Sequence, residues 1–198
     1  MTAQLSDGFL FEEIDYSIAG ISGGELFDPK TLDLEPSMAS TACWRGYQVI
    51  YSLNSNHLVA KDLRINLLKT GDEEFRRVVG PAINDVAPTP PGVRFNFFNN
   101  HCEGIDYHLE YSGGLLLANG FIDDLYVHMG FHAPWKHENV IELLFENGVL
   151  VDRFDRSAKM SEVRETVLNQ NKRKFAKMPT VEEISRFVAQ AFDRSYGQ

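Results

Sequence analysis

From Tyr47 through Val49 and Tyr51 to Leu53 every second residue is large and apolar, and Gln48, Ser52 and Asn54 are among those between. A period of two belongs to a strand with one buried face. Asn54-Ser55-Asn56 supplies a turn, after which Leu63, Ile65 and Leu67 alternate with Arg64 and Asn66. A second such hairpin turns at Asn147-Gly148, two residues that tolerate positive φ. Ser22-Gly23-Gly24 and Ser112-Gly113-Gly114 read as the turns of two more. The expectation is four hairpins, over about 9–27, 44–67, 104–121 and 138–154.

Past residue 156 the pattern changes. Ser157–Lys174 and Thr180–Tyr196 contain no proline or glycine, and Pro179 separates them. Val181, Ile184, Val188, Ala191 and Phe192 fall on one face at helical spacing. Thr180 and Glu183 have the spacing of a capping box. Two C-terminal helices are therefore expected over 157–196. Between the hairpin pairs, Gly80-Pro81 to Pro91-Gly92 reads as a surface linker. Asp72–Val79 reads as a short helix, and the alternation of Val93, Phe95 and Phe97 adds one strand.

The chain also echoes itself. Ile14-Asp15-Tyr16 recurs as Ile105-Asp106-Tyr107, and the two Ser-Gly-Gly turns lie 90 residues apart. Ala42-Cys43-Trp44 matches Ala133-Pro134-Trp135, and Val49-Ile50 with Leu53 matches Val140-Ile141 with Leu144, each at a shift of 91. Near-constant spacing predicts an internal duplication. The expected fold is mainly β with some helix: duplicated antiparallel hairpins forming a pseudo-twofold sandwich or barrel, capped by two C-terminal helices. It is read as a single domain, 1–198, with half one at about 9–68, a linker at 80–92, half two at 93–155 and a helical tail at 157–196.

Composition narrows the class. A chain of 198 residues with 43% hydrophobic positions buries roughly 70% of its unfolded surface and needs no metal or disulfide to fold. The net charge of −9 argues against nucleic acid and suits a basic partner. Its one basic cluster, Lys172-Arg173-Lys174 with Lys177, falls at the end of a predicted helix, where cations complement the dipole. There is no apolar run of membrane-spanning length and no basic, apolar leader in Met1–Leu10. With only two cysteines, Cys43 and Cys102, the expectation is a cytoplasmic protein holding both as thiols.

Several residue groups carry potential chemistry. His128, His132 and His137 fall within ten residues, beside Glu138 and shortly after Asp123-Asp124, a donor set suited to a divalent metal. On an extended strand, 128 and 132 would stand about 13 Å apart, so sharing an ion requires the chain to fold back. Gly20-Ile21-Ser22-Gly23-Gly24 matches the G-x-S-x-G pattern, but Asp28-Pro29 follows too closely for the helix that a nucleophile elbow needs. Cys102 adjoins His101, yet strand neighbours point to opposite faces. Trp44-Arg45 and Trp135-Lys136 are matched tryptophan–cation pairs of the kind found at binding hot spots.

The stretch Cys43-Trp44-Arg45-Gly46-Tyr47, leading into the alternating strand, resembles a Trp-Arg-Gly-Tyr hairpin motif of bacterial proteins. It covers about a tenth of the chain, and the resemblance implies no activity, cofactor or catalytic residue. Three functional readings follow. The first is a non-enzymatic binding protein with a protein partner, in the manner of an immunity protein that neutralises a basic toxin, using Trp44, Arg45, Trp135 and Lys136. The second is a barrel-type carrier of an apolar small molecule lined by Phe95, Phe97, Tyr107, Leu109 and Tyr111. The third is a metal-dependent or acid–base enzyme using His128, His132 and His137 with Glu138 or Asp124.

Overall fold

The structure is a computed structural model that describes residues 2–69, 76–90, 97–174 and 180–197. The strands are β1 (Gly8–Phe11), β2 (Ile14–Ile21), β3 (Tyr47–Asn54), β4 (His57–Ile65), β5 (Leu68–Lys69), β6 (Arg76–Arg77), β7 (Asn100–His108), β8 (Gly113–Phe121), β9 (His137–Glu146) and β10 (Val149–Asp155). Two helices follow, α1 (Ser157–Lys174) and α2 (Val181–Phe192), so the chain is mainly β with a helical tail, as its patterning predicts.

Eight strands form one mixed sheet in the order β10-β9-β8-β2-β1-β3-β4-β7. The sheet closes on itself where Val149 of β10 pairs with His57 of β4, so it curls into a ring with β7 continuing along β4. All its pairings are antiparallel except β1 with β3, which run parallel. β5 and β6 form a separate two-stranded ribbon. Phe9, Ile18, Tyr51, Leu58, Leu63, Ile105, Leu115, Leu117 and Leu143 fill the ring with fully buried side chains. On the outside, Ala19, Leu116, Ala118 and Val140 form a second apolar layer under Met160 of α1 and Tyr196.

Three two-residue turns set the hairpins. Ser55-Asn56 joins β3 to β4 and Asn147-Gly148 joins β9 to β10, all at positive φ as a type I′ turn demands. The third is Glu12-Glu13, φ 50° and 64°, joining β1 to β2. The first hairpin thus turns at its acidic pair, and Ser22-Gly23-Gly24 lies beyond its end. Ser112 precedes β8, and β7 and β8 do not pair with each other: β7 joins β4, while β8 runs between β2 and β9. The two Ser-Gly-Gly copies meet instead. Ser22 donates its N–H to Gly114 O at 2.8 Å, the Ser22 hydroxyl accepts Gly114 N–H at 3.0 Å, and the Tyr111 hydroxyl donates to Ser22 O.

The 91-residue shift carries β3 onto β9 but exchanges their faces. Val49 points into the main core, whereas its match Val140 belongs to the outer layer beneath α1. Sliding a strand by one residue has this consequence, so matched sequence does not mean matched environment here. Elsewhere, Arg76-Arg77 is strand and not helix, and residues 72–75 lie outside the described residues. Val93 and Phe95 also lie outside them, and Phe97 sits in a bend, 50% exposed. The segment 80–90 is tied down by more than a linker would be. Ile83 is buried, and Thr89 and His101 exchange backbone hydrogen bonds.

Candidate functional site

The motif Trp44-Arg45-Gly46-Tyr47 enters β3 through a bend at Gly46, whose φ of 78° and lack of a Cβ let the Ser37 backbone lie against it. The bend separates the two side chains before it. Arg45 turns inward, and its guanidinium grips both oxygens of Asp7, with Nη1 donating to Oδ2 at 2.9 Å and Nη2 to Oδ1. Arg45 Nε donates to Tyr47 O at 2.9 Å, and the guanidinium lies 4.4 Å from the Tyr47 ring centroid. Asp7 is 2% exposed and also accepts Val49 N–H at 2.9 Å. Arg194, past the end of α2, brings Nη1 within 3.7 Å of Asp7 Oδ2 and lies over Phe131.

Two cations therefore share one buried carboxylate. Burial lowers the Arg194 pKa despite Asp7; at Arg45 burial pulls the same way, but the attraction and hydrogen bonds of Asp7 win and raise it. Burial pushes the Tyr47 phenol up to about 12 and Tyr51 well above its ordinary value, so both remain protonated. A paired carboxylate of this kind fixes geometry: it ties the N-terminal segment, β3 and the chain after α2 at one end of the ring. Arg45 is consequently a structural residue and not a surface contact.

Trp44 turns outward. It is 53% exposed and stacks on Phe192 at the end of α2, with centroids 5.9 Å apart and planes at 23°. Around this stack α2 lies open. Val181 is 74% exposed and Phe187 51%, while Val188, Ala191 and Phe192 toward the far end are half-buried. The helix is held by its ends. Thr180 and Glu183 form the capping box expected of them, and Phe131 N–H reaches Ala191 O at 2.7 Å. Arg194 and Tyr196 then strap the chain to Ile21 by backbone hydrogen bonds of 2.8 and 3.2 Å. Asp7 and Arg194 carry no local signal in the sequence that marks them for this work.

The other matched pair is built differently. Trp135 and Lys136 lie in a 3-10 turn, Pro134–Lys136, packed on α1, where Arg164 donates to Trp135 O at 2.7 Å and His137 O at 2.6 Å. Lys136 is 8% exposed with its ammonium 5.5 Å from the Trp135 ring centroid, and burial lowers its pKa. This cation stacks on indole as expected of the pair, but from inside the protein.

The histidines converge on aromatic rings. Phe121 lies 4.6 Å from His132 and 5.2 Å from His137 between centroids, and the Tyr126 hydroxyl hydrogen-bonds His128 Nδ1 at 2.9 Å. Burial, then Lys136 and His137, press the His132 pKa down to about 4, and burial lowers His137 as well. Among the described residues no three His, Cys, Asp or Glu side chains are grouped to hold a metal ion. Neither Cys43 nor Cys102 is in a disulfide; both are buried, which raises their pKa. Tyr107, Leu109 and Tyr111 pack into or against the main core instead of lining a hollow barrel. Gly20–Gly24 runs from the end of β2 into the bend at 22–24, and the next element is a single 3-10 turn, Pro29–Leu32, and not the α-helix an elbow needs.

No family model, curated protein or solved structure matches this chain. Among the described residues no helix is long and apolar enough to cross a membrane.

Proposed function

We propose that this chain is a non-enzymatic binding protein of the cytoplasm, that its docking face is the open side of α2 together with Trp44, and that its partner is a basic protein. The observation that carries the reading is the exposure of Val181 and Phe187 on α2 and of Trp44, which stacks on Phe192 at the end of that helix. Large apolar side chains are costly to leave in water, and contiguous ones are characteristic of interaction surfaces. Trp44, braced by Phe192 and stiffened beneath by the Arg45–Asp7 pair, has the rigidity and area of an interface anchor. With 28 acidic against 19 basic residues the chain attracts a cationic partner from a distance, and Glu182 and Glu183 place acid at the start of this helix.

A photo-crosslinking residue at position 187 of the full chain, expressed in its host, tests the reading against a control at exposed Asp152. Expected are adducts from position 187 only, to one basic protein, lost on Trp44→Ala. With that protein purified, association slows several-fold between roughly 50 and 300 mM salt, as screening shortens the reach of the field. Absence of a position-specific adduct overturns the docking face. An association rate indifferent to salt overturns the basic partner.

A further inference from the structure

On the opposite kind of surface, the outside of the sheet where β1, β2, β3 and β4 run side by side, lies a recess of about 380 Å³. This is within the lower part of the range of small-molecule sites, roughly 300–1,000 Å³. Gly8, Leu10 and Ile50 give it an apolar floor. The floor is low because Gly8 has no side chain; a Cβ there would come within 2.7 Å of Ile50 Cδ1. A bulge in β4 furnishes the wall. Ile50 pairs with Asp62 and Tyr51 with Ala60, leaving Lys61 as an extra residue. Regular alternation would send Lys61 and Asp62 to opposite faces, but with the bulge both border the recess, together with Arg64.

The charged groups there are unequally engaged. The Asp62 carboxylate accepts Gly104 N–H at 2.8 Å. Among the described residues Arg64 makes a single long bond, 3.5 Å from Nη1 to Gln48 Oε1. None of the ion pairs among the described residues uses Lys61 or Arg64. Two cations with no carboxylate partner among the described residues thus border one recess, and a carboxylate matches guanidinium geometry. Asp15 and Asp62 at the same rim oppose a doubly charged anion.

We infer that this recess binds a small molecule bearing a single carboxylate on an apolar body, with the carboxylate between Lys61 and Arg64 and the body over Gly8, Leu10 and Ile50. The site is separate from the face assigned to the protein partner. The test is a backbone-amide NMR titration of the full chain with sodium hexanoate, and with hexylamine and inorganic phosphate as competitors in chemistry. Hexanoate is expected to move the amides of residues 8–10, 50 and 61–64 saturably, while the other two do not. Lys61→Gln and Arg64→Gln are each expected to weaken hexanoate at least fivefold with the spectrum still dispersed. Lys61 is half-buried and makes no hydrogen bond or ion pair among the described residues, which makes its variant the safer for folding. The assignment is overturned if hexanoate gives no saturable shift there, if phosphate or hexylamine binds as well, or if Lys61→Gln binds unchanged.

Discussion

At the scale of single residues the molecule is governed by a few polar groups taken out of water and by how they are satisfied there. Asp7 is filled by Arg45, Val49 N–H and the approach of Arg194, bringing together residues 38 and 187 positions away. Such a partnership has no period and no spacing, and nothing in the segment around Asp7 announces it. The contrary case is Trp44: its outward face follows from the bend that Gly46 permits, a local event whose glycine is visible in the sequence. His132 shows what burial without a fixed partner costs. Its pKa near 4 lies below the ordinary 6.5, so as pH falls through this interval the unfolded chain takes up the proton first. Stability from this group is intact at neutral pH and declines from about pH 6.5 toward 4, with His137 acting in the same direction. Allowing for solvent screening at a half-buried ring, the loss at pH 4.5 is roughly 1–2 kcal/mol. Urea midpoints of the parent and His132→Gln at pH 7 and 4.5 check this; the variant should lose less on acidification, and parallel losses would refute it.

At the scale of elements, legibility tracks how local the determinant is. β3–β4, β9–β10 and both helices stand where alternation, turn dipeptides and a cap place them, because each of those signals acts within a few residues. The hairpin at 9–27 closes earlier, at Glu12-Glu13, since two side chains accept positive φ where glycine would have been the expected sign. The pairing of β7 with β4 and of β8 with β2 joins the two halves of the chain, and periodicity within a strand cannot specify which neighbour it takes. The helix α2 is a further test of local control. With its length largely open to water, it relies on the capping box at Thr180 and Glu183 more than a well-packed helix does. Thr180→Ala removes an acceptor for Glu183 N–H and is expected to cost about 1 kcal/mol locally. Amide hydrogen exchange over residues 181–187 should rise several-fold while β3 and β9 stay protected. Unchanged exchange would show that the helix is held by contacts other than its cap.

For the molecule as a whole, the decisive point is where the ring shuts. Leu58 N–H reaches Gly148 O at 2.7 Å, Leu150 N–H reaches Asn56 O at 3.0 Å, and the Asn56 side chain donates to Leu150 O at 2.9 Å. The connection between β7 and β8 passes over the same place, with Gly148 N–H on Tyr111 O at 2.8 Å. A Cβ on Gly148 would run into the Leu109 carbonyl, whereas one on Gly104 would meet nothing within 4 Å. Both glycines hold nearly the same positive φ, 79° and 71°, so alanine at either pays a similar conformational cost, about 1–2 kcal/mol. Only at Gly148 must the turn also separate from the backbone of Leu109 and Glu110. Gly148→Ala should therefore exceed Gly104→Ala by at least about 1 kcal/mol, placing it among the severe backbone substitutions. Equilibrium urea unfolding of the two variants measures the difference directly. If the costs are equal, the closure yields without loss and the ring is held by the pairings around it; if Gly148→Ala alone is severe, sheet closure is a cooperative feature of this fold, set by one glycine that serves as a hairpin turn and as the seat of a crossing loop.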